Sequence, residues 1–79
     1  MPNEPKLPSV TGAEVVRALE HSGIVVDRQR GSHVTLKHPR TRRAATVPVH
    51  AGRDVPRGTS LGILEDAGMT RREFVALLK

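Results

Sequence analysis

Two copies of the pattern T-x-x-E, one running from Thr11 to Glu14 and one from Thr70 to Glu73, dictate where helices can begin in this chain. In such a capping box the threonine hydroxyl accepts from a backbone N–H of the first turn, while the glutamate reaches back to the threonine N–H. Two otherwise orphaned donors are satisfied. Each box has a hydrophobic staple beside it, Val10 with Val15 and Met69 with Phe74. The first helix therefore starts at about Gly12, shows Val15, Val16 and Leu19 on one face, and stops at Gly23. The second box opens a last helix whose apolar residues are Phe74, Val75, Leu77 and Leu78. Ahead of it, Thr59 is expected to cap a short helix through Ala67, with Leu61, Ile63 and Leu64 apolar and Gly68 as its stop.

Between the boxes lie three short segments, 24–28, 33–38 and 44–49, each rich in β-branched residues or alternating in polarity. In the second, Val34 and Leu36 oppose His33, Thr35 and Lys37; in the third, Ala45, Val47 and Val49 oppose Thr46, Pro48 and His50. One sheet face is thus apolar and the other polar. The connections are short enough for antiparallel hairpins, and Pro48, which cannot donate to a ladder, places the third strand at an edge. A three-stranded sheet must bury its apolar face under helices, so the fold class is α+β, a small two-layer sandwich ordered helix, three strands, two short helices. Prolines at positions 2, 5 and 8 mark residues 1–10 as a flexible tail ahead of a domain spanning 11–79, and residues 51–58 are expected to form a loop.

With 79 residues the chain is one domain with a thin core. It has no cysteine, so neither disulfide nor thiolate metal site supplements that core, and a reducing cytosol is the natural compartment. No apolar run approaches the roughly 20 residues that span a bilayer, and no signal-like leader is present, so the expectation is a soluble cytoplasmic protein with no membrane partner.

The net charge is +5, and its distribution says more than its sum. Residues 28–53 hold seven of the thirteen cations and none of the eight acids, leaving the rest of the chain slightly acidic. A segregated basic stretch is the electrostatic footprint of a nucleic-acid binder, although a charge run can also be no more than a solvated face. Arginine outnumbers lysine ten to three, and its planar fork matches phosphate geometry bidentately.

Three of the four histidines, His33, His38 and His50, fall in this acid-free stretch. His21 sits in the last turn of the first helix, where an imidazole complements the helix dipole, and needs no further role. His33 follows a Gly-Ser turn and shares its surroundings with Arg28 and Arg30. Imidazole can give or take a proton at neutral pH while guanidinium groups grip a phosphate. RNA makes so sparse a site workable, because its 2′-hydroxyl is a built-in nucleophile next to the scissile phosphorus. A surface histidine among arginines can equally serve only to hydrogen-bond the backbone, and spacing alone does not decide. His38 precedes Pro39 and can simply end its strand. The absence of any Asp or Glu from residues 28–53 argues against a divalent metal held by the three histidines, and no cofactor is expected. Nucleophile-elbow, Walker, Rossmann and C-x-x-C motifs are absent. Phe74 is the one aromatic residue, so a base-stacking platform is excluded.

The run from Gly12 to Lys79 resembles the HicA family of toxin ribonucleases. The likeness is carried by the S-G of Ser22 and Gly23, R-Q-R-G-S-H (residues 28–33), the H-P of His38 and Pro39, and T-V-P-V-H (residues 46–50). G-T-S-L-G-I-L (residues 58–64) and A-G-M-T-R-R-E-F (residues 67–74) complete it in the family's order. The resemblance implies a double-stranded-RNA-binding-domain-like fold, metal-independent endoribonuclease cleavage of mRNA that inhibits growth, and restraint by a HicB-like antitoxin. It implies that His33, the histidine of G-S-H, is catalytic. Arg28, Arg30, Ser32, Lys37, Arg40, Arg42 and Arg43 are the residues expected to contact RNA. A non-catalytic RNA-binding module using the same basic face is the competing reading; a DNA-binding role is disfavoured because the cations lie on strands and loops and no helix reads as a groove reader.

Overall fold

The computed structural model describes residues 5–78. Helix α1 spans Gly12–His21, strands β1, β2 and β3 span Val25–Arg30, His33–Lys37 and Ala44–Pro48, and helices α2 and α3 span Arg57–Ala67 and Arg71–Leu77. The strands form one antiparallel sheet in the order β1-β2-β3. All three helices lie to one side of it: α1 touches every strand, α2 packs on β3, and α3 packs on α1 and α2. This is the α+β two-layer arrangement expected from the sequence, in keeping with a double-stranded-RNA-binding-domain-like sandwich.

Both capping boxes are formed. Glu14 N donates to Thr11 Oγ1 at 3.2 Å and Thr11 N to Glu14 Oε1 at 2.9 Å; the matching bonds at Thr70 and Glu73 are 3.1 and 2.8 Å. Donation from the Thr11 backbone, and then from its hydroxyl, holds the Glu14 carboxyl below its ordinary value of 4.5. At its far end α1 closes in a Schellman motif, with Gly23 at φ 96°, Gly23 N bonded to Glu20 O and Ile24 N to Leu19 O. That motif claims Ile24, which is buried against the core, so β1 starts at Val25 and not at residue 24 as expected. It also runs two residues further, to Arg30, because the Gly31-Ser32 turn is tight enough to pair Arg30 with His33.

Helix α2 departs from expectation at its start. Thr59 does not cap it; the helix begins at Arg57, Pro56 occupies the cap without a side-chain bond, and Ser60 N donates to Pro56 O at 2.9 Å. The reason is tertiary. Val55 is buried and its N–H donates to Val10 O at 2.8 Å, so the chain is pinned there and turns into the helix at once. Leu61, expected on the apolar face, is 41% exposed, while Ile63, Leu64 and Ala67 are buried. The same Val10–Val55 pairing bears on the expected tail. Residues 1–4 lie outside the described residues; residues 5–10 have no regular structure, as Pro5 and Pro8 require, yet Leu7 and Val10 are buried in the core.

The core is filled by Val15, Ala18 and Leu19 of α1, Val34 and Leu36 of β2, Ala45 and Val47 of β3, Ile63 and Leu64 of α2, and Phe74 of α3. Gly12 permits the close approach of α1 to β3: a Cβ there would run into the Pro48 carbonyl oxygen and come within 2.8 Å of Val49 Cα. None of the described helices is long and apolar enough to cross a membrane.

Candidate nucleic-acid interface and active site

The helices cover one face of the sheet over β2 and β3 and leave the other face open, and strand register decides what stands there. Residues paired across antiparallel strands share a face. Val34 pairs with Val47 and Leu36 with Ala45, the buried side. On the outer side Arg30 pairs with His33 and His33 with Pro48; Arg28 pairs with Thr35 and Thr35 with Thr46; Val25 pairs with Lys37 and Lys37 with Ala44.

Simple alternation along β1 would not produce this. Val25 points outward and Val26 pairs with Leu36 on the inner side, so an unbroken strand would carry Asp27 outward and Arg28 and Arg30 toward the helices. The register instead slips between Val26 and Arg28. Asp27 is the extra residue of a β-bulge, and every side chain after it changes face. The bulge places Arg28 and Arg30 beside His33. Hairpin geometry fixes the third member: Gly31, at φ 55°, takes the positive-φ position of a two-residue turn, and Ser32 O accepts from Val49 N at 2.6 Å.

Arg28, Arg30, His33, Thr35 and Thr46 together line an open recess of about 320 Å³ on the outer face. It gathers two guanidinium groups, one imidazole and two hydroxyls, with no carboxylate in its lining. Such a set can bind a phosphate through its charges and move a proton through the imidazole. A lining of this charge suits an anion, not a divalent cation. Among the described residues no group of three or more His, Cys, Asp or Glu stands together to hold a metal.

The other residues singled out from the sequence separate. Lys37 is on the outer face one rung beyond Thr35, and lines a shallow depression with Val25, Asp27 and Arg42 at the start of β1. Arg40 and Arg42 project from the β2–β3 loop, exposed. His38 builds that loop: its Nδ1 accepts from Arg40 N and Thr41 N, both at 3.1 Å, and its backbone bonds Arg43 O and Arg42 N. Arg43 does not line the recess; its Nη1 donates to Glu65 O at 3.3 Å, at the C-terminal turn of α2, and its side chain lies against Gly68. Ser32 is in the hairpin turn, half-buried. His50 lines a different recess, of about 290 Å³, with Arg53 and Thr59. The three histidines of the basic stretch therefore stand in three different settings. Alternation alone puts Thr35 and Thr46 on the polar face, but their mutual contact depends on the β2–β3 register, which sequence does not specify.

Residues 12–69 of the chain match the family described as HicA toxin of bacterial toxin-antitoxin. No curated protein matches the chain.

Proposed function

The chain belongs to the HicA toxin family and is the toxin of a toxin-antitoxin system with a cognate antitoxin as partner, and from this we propose that it is a metal-independent endoribonuclease acting on mRNA. The observation that carries the reading is the Arg30–His33 pair, brought with Arg28 into one recess by the Asp27 bulge. Arg28 and Arg30 hold the phosphate of a single-stranded segment. The RNA 2′-oxygen attacks the phosphorus, its proton passing to a base; the P–O2′ bond forms as the P–O5′ bond breaks, and the departing O5′ takes up a proton. His33 serves one of these two proton transfers, as general base or general acid. The nucleophile belongs to the substrate, so no metal-bound water is needed. A HicB-like antitoxin restrains the activity, and Lys37 at the end of β2 with Arg40 and Arg42 of the following loop extends the cationic surface.

The test is cleavage of an unstructured RNA by the purified protein in excess EDTA, beside the same sequence with every 2′-hydroxyl replaced by hydrogen. The RNA is cut and the deoxy strand is not. Cleavage of the deoxy strand, or loss of activity in EDTA, overturns the mechanism; both strands bound and neither cut identifies a non-catalytic RNA-binding module.

A further inference from the structure

The outer face is laid out in rungs. Arg30, His33 and Pro48 form one; Arg28, Thr35 and Thr46 form the next. Thr35 Oγ1 and Thr46 Oγ1 lie 3.1 Å apart, and both side chains line the recess that holds His33. In a hydroxyl-to-hydroxyl bond one oxygen spends its proton and the other accepts, so within the pair one O–H is left over. Accepting a bond makes that remaining O–H a better donor.

We propose that the Thr35–Thr46 hydroxyl pair donates this O–H to a non-bridging oxygen of the phosphate on which His33 acts, with Arg28 of the same rung as the charged partner. The inference rests on the nuclease reading and names a part of the site that reading does not contain. Negative charge grows on the non-bridging oxygens as the 2′-oxygen attacks, and donors fixed before the reaction stabilise it most. Arginine side chains are long and must be ordered to act, whereas threonine is stiff at χ1, and here both threonines are held by paired strands. The pair is the preorganised element of the site.

The test combines Thr35→Val and Thr46→Val, a shape-conserving change that keeps β-branching, and compares it with Thr35→Ser and Thr46→Ser, which keep the hydroxyls. The valine protein is expected to lose about 10²-fold in kcat with KM changed only a few-fold, the size of effect seen when one such donor is removed, while the serine protein stays within a few-fold of wild type. Sulfur accepts hydrogen bonds weakly, so one phosphorothioate diastereomer at the cleaved bond slows the wild type and does not slow the valine protein further. Wild-type kcat in the valine protein, a serine protein as slow as the valine one, or an equal sulfur effect in both overturns the proposal. Titration with uncleavable 2′-O-methyl RNA, followed by the Thr35 and Thr46 methyl resonances, separates it from the nuclease reading. If the wild type cuts no RNA but both resonances move, the nuclease reading fails and the phosphate contact stands; if neither moves, the hydroxyl pair is not a ligand.

Discussion

The two faces of the β2–β3 hairpin use alternate residues of the same ten, yet they answer to opposite demands. Val34, Leu36, Ala45 and Val47 are at most 6% exposed on the face that α1 and α2 cover, so their shapes are set by close packing. Thr35, Lys37 and Thr46 on the reverse face a recess or solvent, and His33 is exposed beside them. A change on the inner face should register in stability, and a change on the outer face in RNA chemistry. That separation is what allows so small a domain to carry a dense cationic site without weakening its core.

The sharpest way to break the comparison is His33→Ala. Cleavage should fall about 10²- to 10⁴-fold, the usual worth of a positioned proton-transfer group, while stability moves by no more than about 0.5 kcal/mol, as for other surface changes. Transcript decay after induction, with thermal melts of both proteins, reads the two quantities; an inactive variant that is also unfolded would make His33 a structural residue. Leu36→Ala is the converse. Leu36 is fully buried, and truncation should cost about 2–5 kcal/mol in denaturant unfolding, with cleavage per folded molecule unchanged.

Smaller effects sharpen the boundary. Thr11→Ala removes the hydroxyl half of the capping box that starts α1 and should cost about 0.5–2 kcal/mol at neutral pH. The backbone N–H bond that depresses the Glu14 carboxyl most survives in the variant, but the hydroxyl bond that depresses it further is lost; that bond's contribution is complete above the ordinary glutamate value and is lost as pH falls through the lower folded value. The stability gap between wild type and variant, measured by urea unfolding, should therefore narrow on acidification; a gap independent of pH would dissociate the cap from the carboxylate. Last, the basic loop should split. Arg43→Ala removes a charge-assisted bond to the end of α2 and should cost about 1 kcal/mol, whereas Arg42→Gln should leave the melt alone and reduce the log-log salt slope of RNA binding by about 0.7, the value for one phosphate contact on a single strand. Equal slopes for the two variants would place Arg43 on the RNA as well.

What the sequence by itself determined was local. Thr11 and Thr70 start their helices because each cap is closed by a glutamate three residues on, and Gly23 and Gly68 end theirs through bonds between residues three and five positions apart. Alternation in β2 and β3 likewise separates an apolar from a polar face, and the Gly31-Ser32 turn joins β1 to β2, without reference to anything distant. Tertiary structure decided the rest. Arg28 and Arg30 reach His33 only because β1 is bulged at Asp27, and a bulge exists only relative to the partner strand. Thr35 meets Thr46, Arg43 turns to Glu65, and Val10 pairs with Val55, all through contacts between residues 11 to 45 positions apart. A one-residue slip in register moves every following side chain to the opposite face, and no pattern within a single strand records which residue of its neighbour it will meet.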